Sequence, residues 1–156
     1  MFARYFVDLD MPFGEVERAL LRSPESWLPG AASRADAEGD RLLAEVGFGS
    51  GLRIHKEVET TLRDPIRAGG RTILPLSWRA SGPAGIFPSL EADIEIAPMG
   101  RARTQLAVSA RYTPPLGPVG KAIDRGLLHR VAEATIRDFV HRVAASLESG
   151  RVPVGS

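Results

Sequence analysis

Side chains able to do acid–base chemistry gather in two stretches. His55, Lys56 and Glu57 are contiguous, and Asp93 and Glu95 follow at strand spacing. Successive side chains of a strand point to opposite faces. By that alternation His55, Glu57, Asp93 and Glu95 fall on wetted faces, where carboxylates and bases form ordinary cross-strand pairs. Lys56 alone falls on the apolar parity. Buried beside a cavity it would carry a depressed pKa or anchor an acidic head group. At a strand end it would snorkel to water. Trp78 also falls on an apolar parity, and its indole N–H wants a partner when buried. Thr60 and Tyr112 are further groups that could orient a bound molecule.

Other chemistries find no support. His55, His129 and His141 show no metal-ligand spacing, and there is no cysteine for a thiolate site, a disulfide or a thiol nucleophile. No serine sits in a nucleophile elbow. Gly47-Phe48-Gly49-Ser50-Gly51 suggests a phosphate loop, but a strand pattern follows it and no P-loop lysine does, so it reads as a hairpin. No motif calls for a cofactor. The 156 residues carry 20 Lys+Arg against 19 Asp+Glu, a formal charge of +1 that recruits neither nucleic acid nor an anionic membrane. No apolar run approaches the ~18 residues of a membrane span, and residues 1–10 lack a signal layout. The expectation is one cytoplasmic domain over 1–156, folded over about 2–149, with the oligomeric state left open.

These residues must be positioned by a sheet and one long helix. Phe2 to Leu9 reads as a strand. Asp10 is placed as N-cap of a helix bearing Val16, Ala19 and Leu20, which Ser23-Pro24 stops. A second short helix ends at Pro29-Gly30, and Ala31 to Asp40, small and charged, reads as loop. Arg41–Gly49 and Leu52–Leu62 read as strands around a Gly-Ser-Gly turn, with Asp64-Pro65 and Gly69-Gly70 bracketing another turn. In the next strand Thr72, Leu74, Leu76, Trp78 and Ala80 point inward, and Pro75 argues for an edge or a bulge. Leu90, Ala92, Ile94 and Ile96 form the inner face of the following strand. Ala102, Thr104, Leu106, Val108, Ala110 and Tyr112 form that of the last. Ile86 and Phe87 occupy a loop tip, where they would gate a cavity or meet a partner.

From Pro118 to Ser149 apolar residues recur every four positions: Val119, Ile123, Leu127, Val131, Phe139, Val143 and Leu147, with only Thr135 breaking the series. Such a helix is roughly 45 Å long. It is the only large covering element that the sequence offers to the sheet.

The order of elements, the Pro114-Pro115-Leu116-Gly117-Pro118 approach and the Gly120-Lys121-Ala122-Ile123-Asp124 to Phe139 helix resemble the START-like (SRPBCC, helix-grip) superfamily, in its polyketide cyclase/dehydrase-like branch. The resemblance covers about residues 2–149 and rests on topology and the last helix, with no catalytic signature. It implies an α+β fold in which a curved antiparallel sheet of about six or seven strands wraps a long C-terminal helix, with two short helices after the first strand. It also implies a hydrophobic cavity under that helix. By parity the lining draws on Ile54, Val58, Leu76, Trp78, Ile94, Leu106 and Val108, faced by Ile123, Leu127 and Val131, with Lys56 as a polar group and Phe87 at the mouth. The expected function is binding of a lipid, polyketide or quinone by burial, each CH₂ leaving water contributing ~0.8 kcal/mol before ordering costs. An aromatase/cyclase-type enzyme would need a buried titratable group, for which only Lys56 and Tyr112 are eligible. A third possibility is an adaptor that docks through its sheet or the Ile86-Phe87 tip.

Overall fold

The computed structural model describes residues 2–45, 58–80, 89–112 and 125–149. Among these, the elements in chain order are β1 (Phe2–Leu9), α1 (Phe13–Leu21), α2 (Pro24–Glu45), β2 (Val58–Leu62), β3 (Ile66–Ala68), β4 (Arg71–Ala80), β5 (Ser89–Pro98), β6 (Thr104–Tyr112) and α3 (Arg125–Ser149). The strands form one antiparallel sheet in the order β1-β6-β5-β4-β2, with β3 also paired to β4.

Alternation does what it should in β4 and β5. Leu74, Leu76 and Trp78 are buried, as are Leu90, Ala92, Ile94 and Ile96. On the outer face Glu95 pairs with Arg71 at 2.7 Å and Glu91 with Arg63 at 3.3 Å. Ala102 is exposed, because β6 begins two residues later at Thr104. There Thr104 Oγ1 donates to the Met11 carbonyl at 2.8 Å and ties the sheet to the start of α1.

Five expectations are corrected. Asp10 does not cap α1; Pro12 occupies the cap position without a side-chain hydrogen bond, and Asp10 binds Arg103 Nε at 3.0 Å. Pro29-Gly30 does not end the second helix. That helix runs through Ala31–Asp40 and past Arg41, so neither the loop nor a strand starting at Arg41 forms there. Its buried face is Leu28, Ala31, Ala32, Ala35, Asp36 and Gly39, a helical spacing built mostly from small side chains. Arg41 reinforces its last turns by binding Glu38 and Glu45. Residues 66–68 pair with β4 as β3, and the turn is the two-residue Gly69-Gly70 loop at φ 60° and 77°, a left-handed pair that glycine adopts at no steric cost.

Of the edge or bulge expected at Pro75, the edge is overturned, since β4 lies between β5 and the β2/β3 pair, whereas the pairing is irregular there: residues 63–65 span the gap opposite Leu74 and Pro75. In a strand the nitrogen and carbonyl of one residue face the same neighbour. The Pro75 carbonyl accepts from Arg63 N at 3.0 Å, so its donorless nitrogen faces Arg63 as well and forgoes the single reciprocal bond, at the break between β2 and β3 where the ladder is already interrupted. Finally, α3 does not cover the sheet alone. It lies over β1 and β6, while α2 runs beside it and reaches β2. Every described member of the four-residue series on α3 from Val131 onward is buried, including Thr135.

Candidate functional site

The register sorts the inner face into rows. Thr60, Trp78, Leu90 and Tyr112 are cross-strand neighbours on β2, β4, β5 and β6. The next row is Leu62, Leu76, Ala92, Ala110 and Ala3, and the one beyond it Leu74, Ile94, Val108 and Tyr5. Rows lie about 7 Å apart along the strands. The first row lies where the described parts of β4 and β6 end and those of β2 and β5 begin, and there His129 of α3 stands against Tyr112.

Of the residues singled out above, Leu76, Trp78, Ile94, Leu106, Val108 and Val131 are buried in one core, and Leu127 is half-buried against it. Leu106 sits opposite Ile96, about 20 Å from the Trp78 row. Val58 pairs with Ala80 in β2. Ile54, Lys56, Ile86, Phe87 and Ile123, with His55, Glu57 and Leu116, lie outside the described residues.

Trp78 is 1% exposed and stands edge-to-face with Phe139 of α3, ring centroids 5.4 Å apart at 64°. Its indole Nε1 is buried and has no hydrogen-bond partner among the described residues. Among the described residues the three buried threonine hydroxyls are each satisfied: Thr72 by Glu17, Thr104 by the Met11 carbonyl and Thr135 by the Val131 carbonyl.

At the other end of the same row, Tyr112 joins a chain that sequence reading missed. His129 Nε2 lies 2.8 Å from Glu133 Oε1. The other ring nitrogen of His129, Nδ1, lies 3.3 Å from the Tyr112 hydroxyl, and which of the two donates depends on the tautomer of the ring. Burial, and then the Glu133 charge, push the Tyr112 hydroxyl above the ordinary phenol value, so it stays protonated. Tyr5 and His141 repeat the pairing further along α3, at 3.5 Å with edge-on rings. His129 and His141 lie twelve residues apart on α3, and their partners sit on β6 and β1, which no local pattern reveals.

A groove of about 340 Å³ opens at the opposite end, between α1 and the β3–β4 hairpin, and is lined by Phe13, Glu17, Arg67, Arg71 and Thr72. Glu17 is engaged in holding it together. The carboxylate accepts from Thr72 Oγ1 and from Arg67 Nε at 3.3 Å. The Thr72 bond first, then Arg67, hold its carboxyl below the usual value against an opposing contribution from burial.

No family model and no curated protein sequence matches the chain. Solved structures do. A conserved protein from Geobacillus kaustophilus is 17% identical with a TM-score of 0.56, over 96% of this chain and 97% of its own. A protein from Thermus thermophilus is 14% identical at 0.54, over 97% and 100%. A START superfamily protein from Mycobacterium smegmatis is 10% identical at 0.51, over 96% and 99%. The chain has the helix-grip fold, as the resemblance implied.

Proposed function

We propose that the protein binds a hydrophobic small molecule, a lipid, polyketide or quinone, between the inner face of the sheet and α3, as a cytoplasmic carrier or sensor. The observation that carries this is the row Thr60–Trp78–Leu90–Tyr112. Groups able to hydrogen-bond stand among apolar ones along this row of the inner face. Mostly apolar walls with a few placed polar groups are the composition of a small-molecule site. The START-like resemblance points to the same place. Leu76, Ile94, Val108, Leu127 and Val131 would supply the apolar wall.

Native mass spectrometry of protein purified gently from its own organism tests the proposal. A discrete added mass released by denaturation is the expected result. A clean apo mass together with failure to bind a hydrophobic fluorescent dye would sink it.

The chain Tyr112–His129–Glu133 favours a second reading, acid–base chemistry of the aromatase/cyclase type with Tyr112 as proton donor. In that case a poly-β-ketone thioester analogue would lose water in the presence of the protein, and Tyr112→Phe would bind the analogue without turning it over.

A further inference from the structure

We propose that Trp78 selects the ligand: its indole N–H donates to a carbonyl oxygen on an otherwise apolar, ring-bearing guest. This rests on the binding proposed above and adds the chemistry of what is bound. Three observations lead to it. First, Nε1 of Trp78 is, among the described residues, the one buried side-chain polar atom without a hydrogen-bond partner. Native cores satisfy nearly all such atoms, so an exception calls for a cause.

Second, the surrounding core is not careless about polarity. Thr72, Thr104 and Thr135 are each at most 1% exposed, and each finds an acceptor. Phe139 offers Trp78 an edge-to-face contact but no lone pair. A phenylalanine in place of Trp78 would keep that aromatic contact and leave nothing unsatisfied, so packing alone does not account for the indole N–H.

Third, Trp78 shares one row of the inner face with half-buried Thr60 beside it and Tyr112 two strands across, so its N–H stands among other groups able to hydrogen-bond. The indole N–H is a donor only. It therefore distinguishes a guest that presents an oxygen lone pair from a hydrocarbon of the same shape, and it offers nothing to a guest that can only donate.

The ketone 9-fluorenone and its hydrocarbon counterpart fluorene differ at one position and serve as probes. Their dissociation constants are measured by displacement of a hydrophobic dye from the wild-type protein and from Trp78→Phe. The preference for fluorenone over fluorene should fall by about fivefold to tenfold in the variant, the factor that one net hydrogen bond supplies. Indole N–H resonances of the ¹⁵N-labelled wild-type protein give an independent readout that needs no Trp78 variant. The chain has two tryptophans, so Trp27→Phe assigns them. The Trp78 signal should move downfield with fluorenone and stay in place with fluorene. If both probes bind while the preference is unchanged in Trp78→Phe and the Trp78 signal does not respond, the anchor falls and the binding function stands. If neither the dye nor either probe binds, both fall together.

Discussion

Gly39 of α2 lies directly against Thr135 and Val131 of α3, and replacing it by alanine tests the description of that interface. A Cβ built there would lie 2.5 Å from Thr135 Oγ1, with Thr135 Cβ and Val131 Cγ1 at 3.7 Å. The first distance is about 0.9 Å short of ordinary contact, and the other two are acceptable. Thr135 cannot turn aside freely. It is branched at Cβ, it is 1% exposed, and its hydroxyl is bound to the Val131 carbonyl at 2.8 Å. Rotating it would strand a buried hydroxyl at about 1–3 kcal/mol, and moving α2 away would loosen the interface at a similar cost. Against this, alanine is favoured over glycine in a helix by about 1 kcal/mol. The net expectation for Gly39→Ala is a loss of about 1–2 kcal/mol, a fall in Tm of roughly 2–8 °C for a chain of this size. Urea melts followed by circular dichroism, run as a cycle with Thr135→Ala, isolate the contact. Gly39→Ala should be harmless or stabilising in the Thr135→Ala background, where only the 3.7 Å contacts remain. Gly30 is an internal control in the same helix: nothing lies within 4 Å of its added Cβ, so Gly30→Ala should stabilise by up to about 1 kcal/mol. A Gly39→Ala protein as stable as the wild type, or equally weakened with and without Thr135, would refute the packing described for α2 and α3.

Three further outcomes can be checked on the same purified protein. Glu17 has its carboxyl held below the usual 4.5 in the folded state, so the unfolded chain binds the proton first on acidification. Its contribution is present above that value and is lost as pH falls through the lower folded one, so Glu17→Gln should flatten the stability of the protein against pH below about pH 4.5. The Tyr112 hydroxyl is held protonated above the ordinary 10.0, so stability should decline as pH rises past that value. Ultraviolet titration of the two tyrosines should then show a late phase that Tyr112→Phe abolishes. Gly70→Ala introduces no contact but forces alanine to φ 77°. It should cost about 1–2 kcal/mol in a urea melt, and Gly70→Asn should cost less.

The elements legible in the sequence are those whose buried face is made of large apolar side chains. β4, β5, β6 and α3 announce themselves through Leu, Ile, Val, Trp and Phe at periods of 2 and 3.6, because area removed from water is what orients them. The second half of α2 is illegible for the opposite reason. It buries Ala32 and Ala35 and meets α3 at Gly39, residues whose value lies in being small, and small residues mixed with charges resemble a loop. The same contact explains the break in the helix series, since Thr135 is the residue that Gly39 faces. Pro75 misleads because a proline argues against a central strand as a whole, whereas its nitrogen meets a single gap between two neighbours. Of the site, the inward parity of Trp78 and Tyr112 is legible. The Tyr112–His129–Glu133 chain and the unpartnered indole N–H depend on distances across the fold and leave no trace in local spacing.

The pairing of the first strand with the last described one has a consequence in time. Phe2 meets Arg111 and Leu9 meets Thr104, so β1 leaves the ribosome about a hundred residues ahead of its partner. At about 5–20 residues per second that interval is roughly 5–20 s. During it the β3–β4 hairpin and the β4–β5 pairing, which are local, can already form. β1, with Tyr5, Val7 and Leu9 on one face and Phe2 and Phe6 on the other, must wait unpaired. For that interval the nascent chain exposes β1 to aggregation and to chaperone capture. A truncation ending before Thr104 should be held by chaperones through residues 2–9.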